Sequence, residues 1–209
     1  MGTRKQSLEL AKGQPLASLG LRALLTSPLN SIKVVVSTED SREWIAAAEG
    51  IADFAISSAS PSLSIVSCAE STMGMSHSIR QGVHAIISDE PATDAILVTL
   101  ADQPFICAEM IAELIRYWTE RPELDFVATA IHDTEEKEIA LTPPAVLSRS
   151  MFAALLGLQG DAGARKLFHS PQFKGYCLVA ADEQALFDVD TPADLEWAKK
   201  HFLDTEFQC

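Results

Sequence analysis

The sequence has no long apolar segment and few positive charges, and both shortages limit what the protein can be. None of its apolar runs reaches the roughly 18 residues that a membrane-spanning helix needs, and the N-terminus has no apolar segment of the signal-peptide type. Lysine and arginine number 16 against 29 acidic residues, a net charge of −13, which repels the phosphate backbone of nucleic acids. We therefore expect a cytoplasmic protein that binds neither membranes nor nucleic acid.

Cysteine is also scarce. The four cysteines, Cys68, Cys107, Cys177 and Cys209, form no CxxC pair and have no metal-ligand spacing, so we interpret them as separate thiols in a reducing compartment rather than as a zinc site. No linker, repeat or low-complexity block divides the 209 residues, of which 47% are apolar. That is enough chain for one core, and we expect a single domain over residues 1–209.

Strand-like and helical patterns alternate along the chain, which is typical of a three-layer α/β fold. Strands are predicted at 32–37, 63–68, 95–101, 126–131 and 176–180, and helices at 16–25, 42–48, 76–87, 108–119, 149–156, 162–168 and 193–202. The charged segment 134–142 interrupts the alternation. We interpret it as a solvated hairpin or mobile loop, because a charge run with few apolar residues cannot bury itself.

The apolar run 95–101, followed by Asp102-Gln103-Pro104, is the most informative stretch. β-favouring and small apolar residues without helical periodicity predict a central strand of a parallel sheet, buried on both faces. Asp102 then stands at the carboxyl end of a strand, where such sheets bind ligands. There it can hold a divalent cation over a nucleotide phosphate. Its position is equally consistent with a cap for the helix that begins near Cys107.

Two further motifs contain groups that suit phosphate binding. Met1-Gly2-Thr3-Arg4-Lys5 is a small basic cluster, although such a cluster at a chain end is usually solvated surface. The segment from Gly74 to Gly82 has a glycine that allows a turn and a serine, Ser76, that can cap a helix whose free N–H groups receive a phosphate or a base edge. A plain helix cap would leave Ser78 and Arg80 without a reason.

The segment 187–195 carries two acids that a helix start does not explain. Thr191, Pro192 and Asp194 form an ordinary N-terminus of a helix. Asp188 and Asp190 are two residues apart on an extended segment, so both point the same way, which is costly unless they face solvent or share a cation. We expect one of them to be a metal ligand.

Taken in order, these motifs resemble the molybdopterin-dinucleotide nucleotidyltransferases, most closely the molybdenum cofactor cytidylyltransferase branch. The matching segments are 1–5, 74–82, 102–104, 160–165 (Gly-Asp-Ala-Gly-Ala-Arg) and 188–195. The resemblance implies a Rossmann-like, three-layer α/β nucleotidyltransferase domain with a mostly parallel sheet. It also implies transfer of a nucleoside monophosphate from CTP, or another nucleoside triphosphate, to a molybdopterin-type phosphorylated acceptor. The products would be pyrophosphate and a matured cofactor, with a molybdoenzyme as a further partner.

The resemblance assigns roles to residues of this sequence. Mg²⁺ would be held by Asp102 with Asp190 or Asp188, and Lys5 would act with Asp102 in catalysis. The acceptor would lie at Asp161, which would cap a helix, and at Arg165, which is as consistent with a solvated surface position. The nucleotide-binding residues implied are Gly2, Arg4, Lys5, Gly74, Ser76, Ser78 and Arg80.

Three departures from the family pattern affect these expectations. Pro143-Pro144 stands where relatives often have Gly-His-Pro, so the acceptor pocket can differ, and Ala101 replaces a more usual glycine. The chain also begins at the Met-Gly of its nucleotide loop, without the family's first strand and the glycine-rich half of the loop. We expect the natural protein to extend upstream, and the 209-residue form to be poorly stable and inactive unless a partner chain fills the gap.

Two alternatives remain open at this stage. One is a non-catalytic cofactor-binding or chaperone protein for the maturation of a xanthine dehydrogenase-type molybdoenzyme. The other is a nucleotide-sugar transferase that uses Asp188 and Asp190 as a metal-binding pair.

Overall fold

The fold alternates helices and strands as the sequence predicts. A computed structural model describes residues 5–52, 60–133 and 138–204. The strands are β1 (Glu9–Ala11), β2 (Gln14–Pro15), β3 (Ser31–Ser37), β4 (Ser62–Cys68), β5 (Ala95–Val98), β6 (Phe126–Asp133), β7 (Glu138–Ser148) and β8 (Gly175–Val179). The α-helices are α1 (Leu16–Leu25), α2 (Glu43–Ala52), α3 (Met75–Asp89), α4 (Ala108–Thr119), α5 (Phe152–Leu156), α6 (Arg165–Phe168) and α7 (Pro192–Asp204).

The main strands form one parallel pair and one mixed sheet. β3 and β4 pair in parallel, and a four-stranded sheet has the order β5-β7-β6-β8. Within it β6 and β8 are parallel, whereas β7 runs antiparallel to both β5 and β6. β1 and β2 form a separate small hairpin in front of α1. The predicted α/β fold class is confirmed, with the correction that β7 makes the larger sheet mixed.

Helices cover both faces of the four-stranded sheet, which gives three layers. Alternate residues of a strand point to opposite faces. In β7, Ala145 and Leu147 therefore pack with α3, α5 and α6, while Val146 packs with Leu114 of α4. A further apolar cluster joins β3 to α1 and α2. None of the helices in the described ranges is long and apolar enough to cross a membrane.

The predicted central strand 95–101 is shorter than expected and has a partner on one side. β5 ends at Val98, and within the described part of the chain it pairs with β7 alone. The ladder stops at the pair Val98–Ala145 because Pro144 and Pro143, which come before Ala145, have no N–H to donate. Asp102 therefore lies in a turn beyond the strand, not at its last residue.

The segment 134–142, interpreted from the sequence as a solvated hairpin or mobile loop, belongs in its second part to a hairpin. Residues from Glu138 onward form the start of β7, which pairs with β6 through Ala130–Leu141 and Ile131–Ala140. The Thr129 hydroxyl also donates to the Thr142 carbonyl at 2.8 Å. These bonds between the two strands outweigh the local charge pattern, so this part of the segment is a paired strand and not a mobile loop. Residues 134–137 lie outside the described residues.

The expectation of separate thiols is wrong at Cys107. Cys107 is disulfide-bonded, whereas Cys68 and Cys177 are free. Sequence spacing did not reveal this bond because the two cysteines of a disulfide need to be close only in space.

Candidate functional site

Lys5, Asp102 and Asp190 come together from three distant motifs. The Lys5 ammonium is hydrogen-bonded to Asp190 Oδ1 and lies 3.6 Å from Asp102 Oδ2. The turn after β5 and the segment before α7 are themselves joined, because the Val189 N–H donates to the Asp102 carbonyl at 3.0 Å. One ammonium thus contacts two carboxylates that come from distant parts of the chain.

The extended segment before α7 sets the direction of its two acids. Val189 is fully buried, while Asp188 and Asp190 on either side of it are exposed. The side chain of Asp194 accepts the N–H groups of Asp190 and Thr191 at 3.1 and 2.7 Å, and the Thr191 hydroxyl accepts the Asp194 N–H at 3.2 Å. Because Asp194 caps the helix, the side chain of Asp190 is not needed as a cap and instead contacts Lys5.

The pKa values of Asp188 and Asp102 are raised. Partial burial raises the pKa of Asp188 to about 6, and the nearby charges of Asp102 and Asp190 add to the shift. Burial and the charge of Asp190 also raise the pKa of Asp102, against the opposing charge of Lys5. For Lys5, burial lowers the pKa, but the hydrogen bond to Asp190 and the charges of both acids outweigh it and raise the pKa. The cluster therefore favours additional positive charge.

The glycine motif and the Gly160 motif meet at their backbones. A Cβ on Gly74, whose φ is +125°, would lie 2.4 Å from the Gly160 carbonyl, so only glycine fits there. The Ser76 N–H donates to the Gly160 carbonyl at 3.1 Å. These contacts fix the start of α3 against the loop that leads to α6.

The nucleotide-binding residues predicted on α3 lie on or near this contact, with one correction. Ser76 does not cap α3: the helix begins at Met75 without a side-chain cap, and the Ser76 hydroxyl is fully buried with no hydrogen-bond partner among the described residues. Ser78 lines a large cavity that also borders Ala101. Arg80 donates to the Leu158 carbonyl at 2.5 Å and lies 3.1 Å from His77 Nδ1. These contacts leave other guanidinium N–H groups for a ligand.

The predicted acceptor residues are only partly as expected. Asp161 does not cap a helix, because α6 begins at Arg165 and has no side-chain cap. Arg165 is exposed, and its charge lowers the pKa of Asp188. The effect of Arg165 on Asp188 indicates that the Gly160 motif lies near the acidic cluster. Gly2 and Arg4 lie outside the described residues.

Gln103 is a site residue that the sequence gave no separate reason to select. It is 1% exposed, and its Oε1 has no partner within the described ranges. Its amide nitrogen reaches the Leu186 carbonyl at 3.5 Å, and a hydrogen bond from its side chain lowers the pKa of Asp188. Gln103 thus ties the Asp102 turn to the segment that carries Asp188. Its place in the motif 102–104 was the only available signal.

The donor set fits a magnesium-type ion shared with a ligand. A carboxylate oxygen of Asp102 and one of Asp190 both lie close to the Lys5 ammonium. In the part of the chain that is described, no group of three or more His, Cys, Asp or Glu side chains could enclose a metal alone. Mg²⁺ is commonly bound by one or two carboxylates together with phosphates and water. Asp102 and Asp190 meet that requirement.

The chain matches one protein family and one curated relative over most of its length. Residues 1–175 match the model of the MobA-like NTP transferase domain. The chain is 33% identical over 202 residues to the purine catabolism protein PucB of Bacillus subtilis strain 168, covering 96% of this chain and 90% of PucB.

Solved structures show the same fold. Rv0371c from Mycobacterium tuberculosis H37Rv superimposes with a TM-score of 0.68 at 20% identity, over 96% of this chain and 91% of Rv0371c. The manganese complex of that protein gives a TM-score of 0.64 at 18% identity, over 94% and 91%. The 4-diphosphocytidyl-2C-methyl-D-erythritol synthase of Anaerococcus prevotii DSM 20548 gives 0.65 at 13% identity, over 90% and 86%.

Proposed function

The chain belongs to the MobA-like NTP transferase domain family, and we propose from this that it is a Mg²⁺-dependent CTP:molybdopterin cytidylyltransferase. In this reaction an oxygen of the acceptor's terminal phosphate forms a bond to the α-phosphorus of CTP. The bond from that phosphorus to the bridging oxygen of the β-phosphate breaks, and pyrophosphate leaves. Atoms and charge balance without a further co-reactant.

The contact of Lys5 with both Asp102 and Asp190 carries the proposal. Transfer of a nucleotidyl group requires neutralisation of the triphosphate and in-line placement of the two reactants. The cluster supplies two carboxylates as cation ligands and one ammonium. Lys5 lies between the two acids. When CTP binds, its phosphates can replace the carboxylates as partners of the Lys5 ammonium. The ammonium would then stabilise the charge that develops on the leaving pyrophosphate.

Mg²⁺, held by Asp102 and Asp190, would supply charge neutralisation at the α-phosphate. The pKa of Asp188 is raised to about 6, so at or below that pH this carboxyl can lose a proton when a cation binds. Gln103, buried beside it, orients this segment. Asp188 and Gln103 thus act beside the predicted cation ligands Asp102 and Asp190.

The phosphorylated acceptor would bind at Arg165. This guanidinium is exposed and close enough to influence Asp188, so a phosphate bound to it would lie beside the acidic cluster. Gly74 and Gly160 hold its loop against the start of α3. A phosphorylated acceptor and a nucleotide can thus approach from the two sides of one cluster.

The test is a direct transfer assay on the purified protein. Molybdopterin, Mg²⁺ and each of CTP, GTP and ATP are mixed with the protein, and pyrophosphate release and the dinucleotide product are measured by coupled assay and mass spectrometry. We expect a product with CTP that disappears in EDTA and in an Asp102→Asn preparation. Product formed only with GTP or ATP would contradict the choice of nucleotide. Pyrophosphate release with every triphosphate but no dinucleotide would contradict the acceptor.

One observation favours a second candidate, an accessory protein of purine catabolism. PucB, which is 33% identical to this chain, is described as a purine catabolism protein. Such a protein would bind the cofactor and deliver it to a molybdenum hydroxylase without turnover. Binding of molybdopterin with no transfer from any triphosphate, in the same assay, would favour this candidate over the transferase.

A further inference from the structure

One nitrogen of the His77 ring contacts two residues that make opposite demands on it. His77 Nδ1 lies 2.7 Å from a carboxylate oxygen of Glu70 and 3.1 Å from Nη2 of Arg80. A carboxylate accepts hydrogen bonds, whereas a guanidinium donates them. Nδ1 can therefore satisfy only one of these residues at a time. It donates to Glu70 when it carries a proton, and it accepts from Arg80 when it does not.

The fold holds the ring between these two charged side chains. Glu70 follows β4, which ends at Cys68, and its side chain is 64% exposed. His77 and Arg80 lie three residues apart on α3, so they share one face of the helix. The His77 side chain is 13% exposed. The ring is thus largely enclosed, while Glu70 reaches it from the solvent side.

Of the two contacts, the one with Glu70 is the stronger. Its 2.7 Å is the length of a charge-assisted hydrogen bond, and a bare Nδ1 would place a lone pair against the carboxylate oxygen. A proton on Nδ1 is therefore favoured. Nδ1 then has no lone pair for Arg80, whose Nη2 group stays available to another acceptor. Nη1 of the same guanidinium donates to the Leu158 carbonyl at 2.5 Å, which fixes its position.

We propose that Glu70 and His77 are positioning residues that reserve the Nη2 group of Arg80 for a phosphate oxygen of a substrate. The inference rests on the proposed nucleotidyl transfer, in which the nucleotide and the acceptor both carry phosphates. Arg80 is bonded to Leu158, two residues before Gly160, so the reserved group lies near the loop at which the acceptor would bind. A phosphate oxygen would accept the hydrogen bond that the His77 ring does not.

Removal of Glu70 gives a result whose sign is diagnostic. Loss of a negative charge near a bound anion should by itself strengthen binding. We expect the opposite from Glu70→Ala, because the proton of the ring can move to Nε2 and Nδ1 can then accept from Arg80. Phosphate affinity should fall about fivefold, the effect of one competing hydrogen bond. Glu49→Ala on the exposed surface of α2 is the matched control and should leave the affinity unchanged.

The affinity is measured by calorimetry without turnover. The parent and the variants are titrated with CTP and Mg²⁺ in one series and with molybdopterin alone in another. A loss confined to CTP would support the inference and assign Arg80 to the nucleotide. A loss confined to molybdopterin would support it and assign Arg80 to the acceptor phosphate.

Two further measurements test whether the effect passes through His77. His77→Phe keeps a planar ring and removes Nδ1, so Glu70→Ala should no longer lower the affinity in that background. Nitrogen-15 NMR of the imidazole reports the tautomer directly. The proton should lie on Nδ1 in the parent and on Nε2 in Glu70→Ala. If the pair only stabilised the turn before α3, Glu70→Ala would lower the melting temperature without changing the tautomer, which would overturn the inference.

The remaining outcomes separate this inference from the proposed function. Stronger or unchanged binding by Glu70→Ala would overturn the inference, as would a bare Nδ1 in the parent. A parent that binds neither CTP nor molybdopterin would overturn it as well. Binding without transfer, together with the fivefold loss in Glu70→Ala, would support the role of Glu70 and His77 and contradict the transferase alone.

Discussion

Lys5 is hydrogen-bonded to Asp190, although 185 residues separate them in the chain. The same ammonium lies 3.6 Å from Asp102, so one positive charge serves two carboxylates. A third acid, Asp188, acts on the same cluster. The cluster is therefore negative overall, which favours the binding of a further cation.

Removing the ammonium should impair turnover far more than folding. We expect Lys5→Met to lower kcat/KM for CTP about 100-fold, because a preorganised charge at the triphosphate is lost. The melting temperature should change little, since partly exposed ion pairs stabilise weakly. Lys199→Met is the matched control, because Lys199 pairs with Glu196 on the exposed surface of α7. Equal rates for the two variants would contradict a role for Lys5.

Asp102 is expected to be the principal cation ligand. Asp102→Asn keeps the shape of the side chain and removes its charge, so the transfer rate should fall at least about 100-fold with little change in melting temperature. The rate should recover only weakly when Mg²⁺ is raised. Glu113→Gln on the exposed face of α4 serves as the control, and full activity of Asp102→Asn would refute the assignment.

The two acids before α7 should differ in importance. Asp190 contacts Lys5 directly, so Asp190→Asn should reduce the rate as strongly as Asp102→Asn. Asp188→Asn should be milder, because Asp188 acts through its neighbours. Steady-state rates and Mg²⁺ titrations of both variants measure this difference. Equal losses would show that the ligand has been misassigned.

Asp188 should make the metal-free protein less stable as the pH rises. Its pKa is about 6 in the folded protein and about 3.9 in an unfolded chain. Between these values the folded state holds more protons than the unfolded state, so the free energy of unfolding falls with rising pH. Asp188→Asn removes this contribution. We expect the variant to gain stability relative to the parent from pH 4 to pH 6.5, measured by urea unfolding in EDTA. A constant difference over that range would contradict the shift.

Arg80 should contribute both to structure and to phosphate binding. Arg80→Ala deprives the Leu158 carbonyl of its donor and should lower stability by about 1–3 kcal/mol. Arg80→Lys keeps the charge but loses the planar fork, so CTP or acceptor affinity should weaken measurably by calorimetry. Arg149→Lys is the control, because Arg149 likewise donates to main-chain carbonyls, those of Pro91 and Thr93. If Arg80→Ala binds both ligands like the parent, Arg80 holds Leu158 and nothing more.

Local sequence patterns were sufficient to predict most of the helices and strands. The helices 16–25 and 108–119 have the predicted bounds, because an apolar stripe at helical spacing and the flanking residues are local properties. The capping pair Thr191 and Asp194 was likewise readable from four consecutive residues. β7 was not, since its first residues are charged and their partner strand β6 is provided by the fold.

By itself the sequence determined the α/β class and the family of the chain, and it singled out the acids Asp102, Asp188 and Asp190 as candidates for the site. Residue types, their order and short spacings carry that information within single segments. Only the tertiary structure decided that Lys5 is bonded to Asp190 and that Arg80 holds Leu158 rather than standing free. It alone revealed that β3 and β5 line a common cavity. These are relationships between segments far apart in the chain, and they exist only once the core has fixed the distances between them.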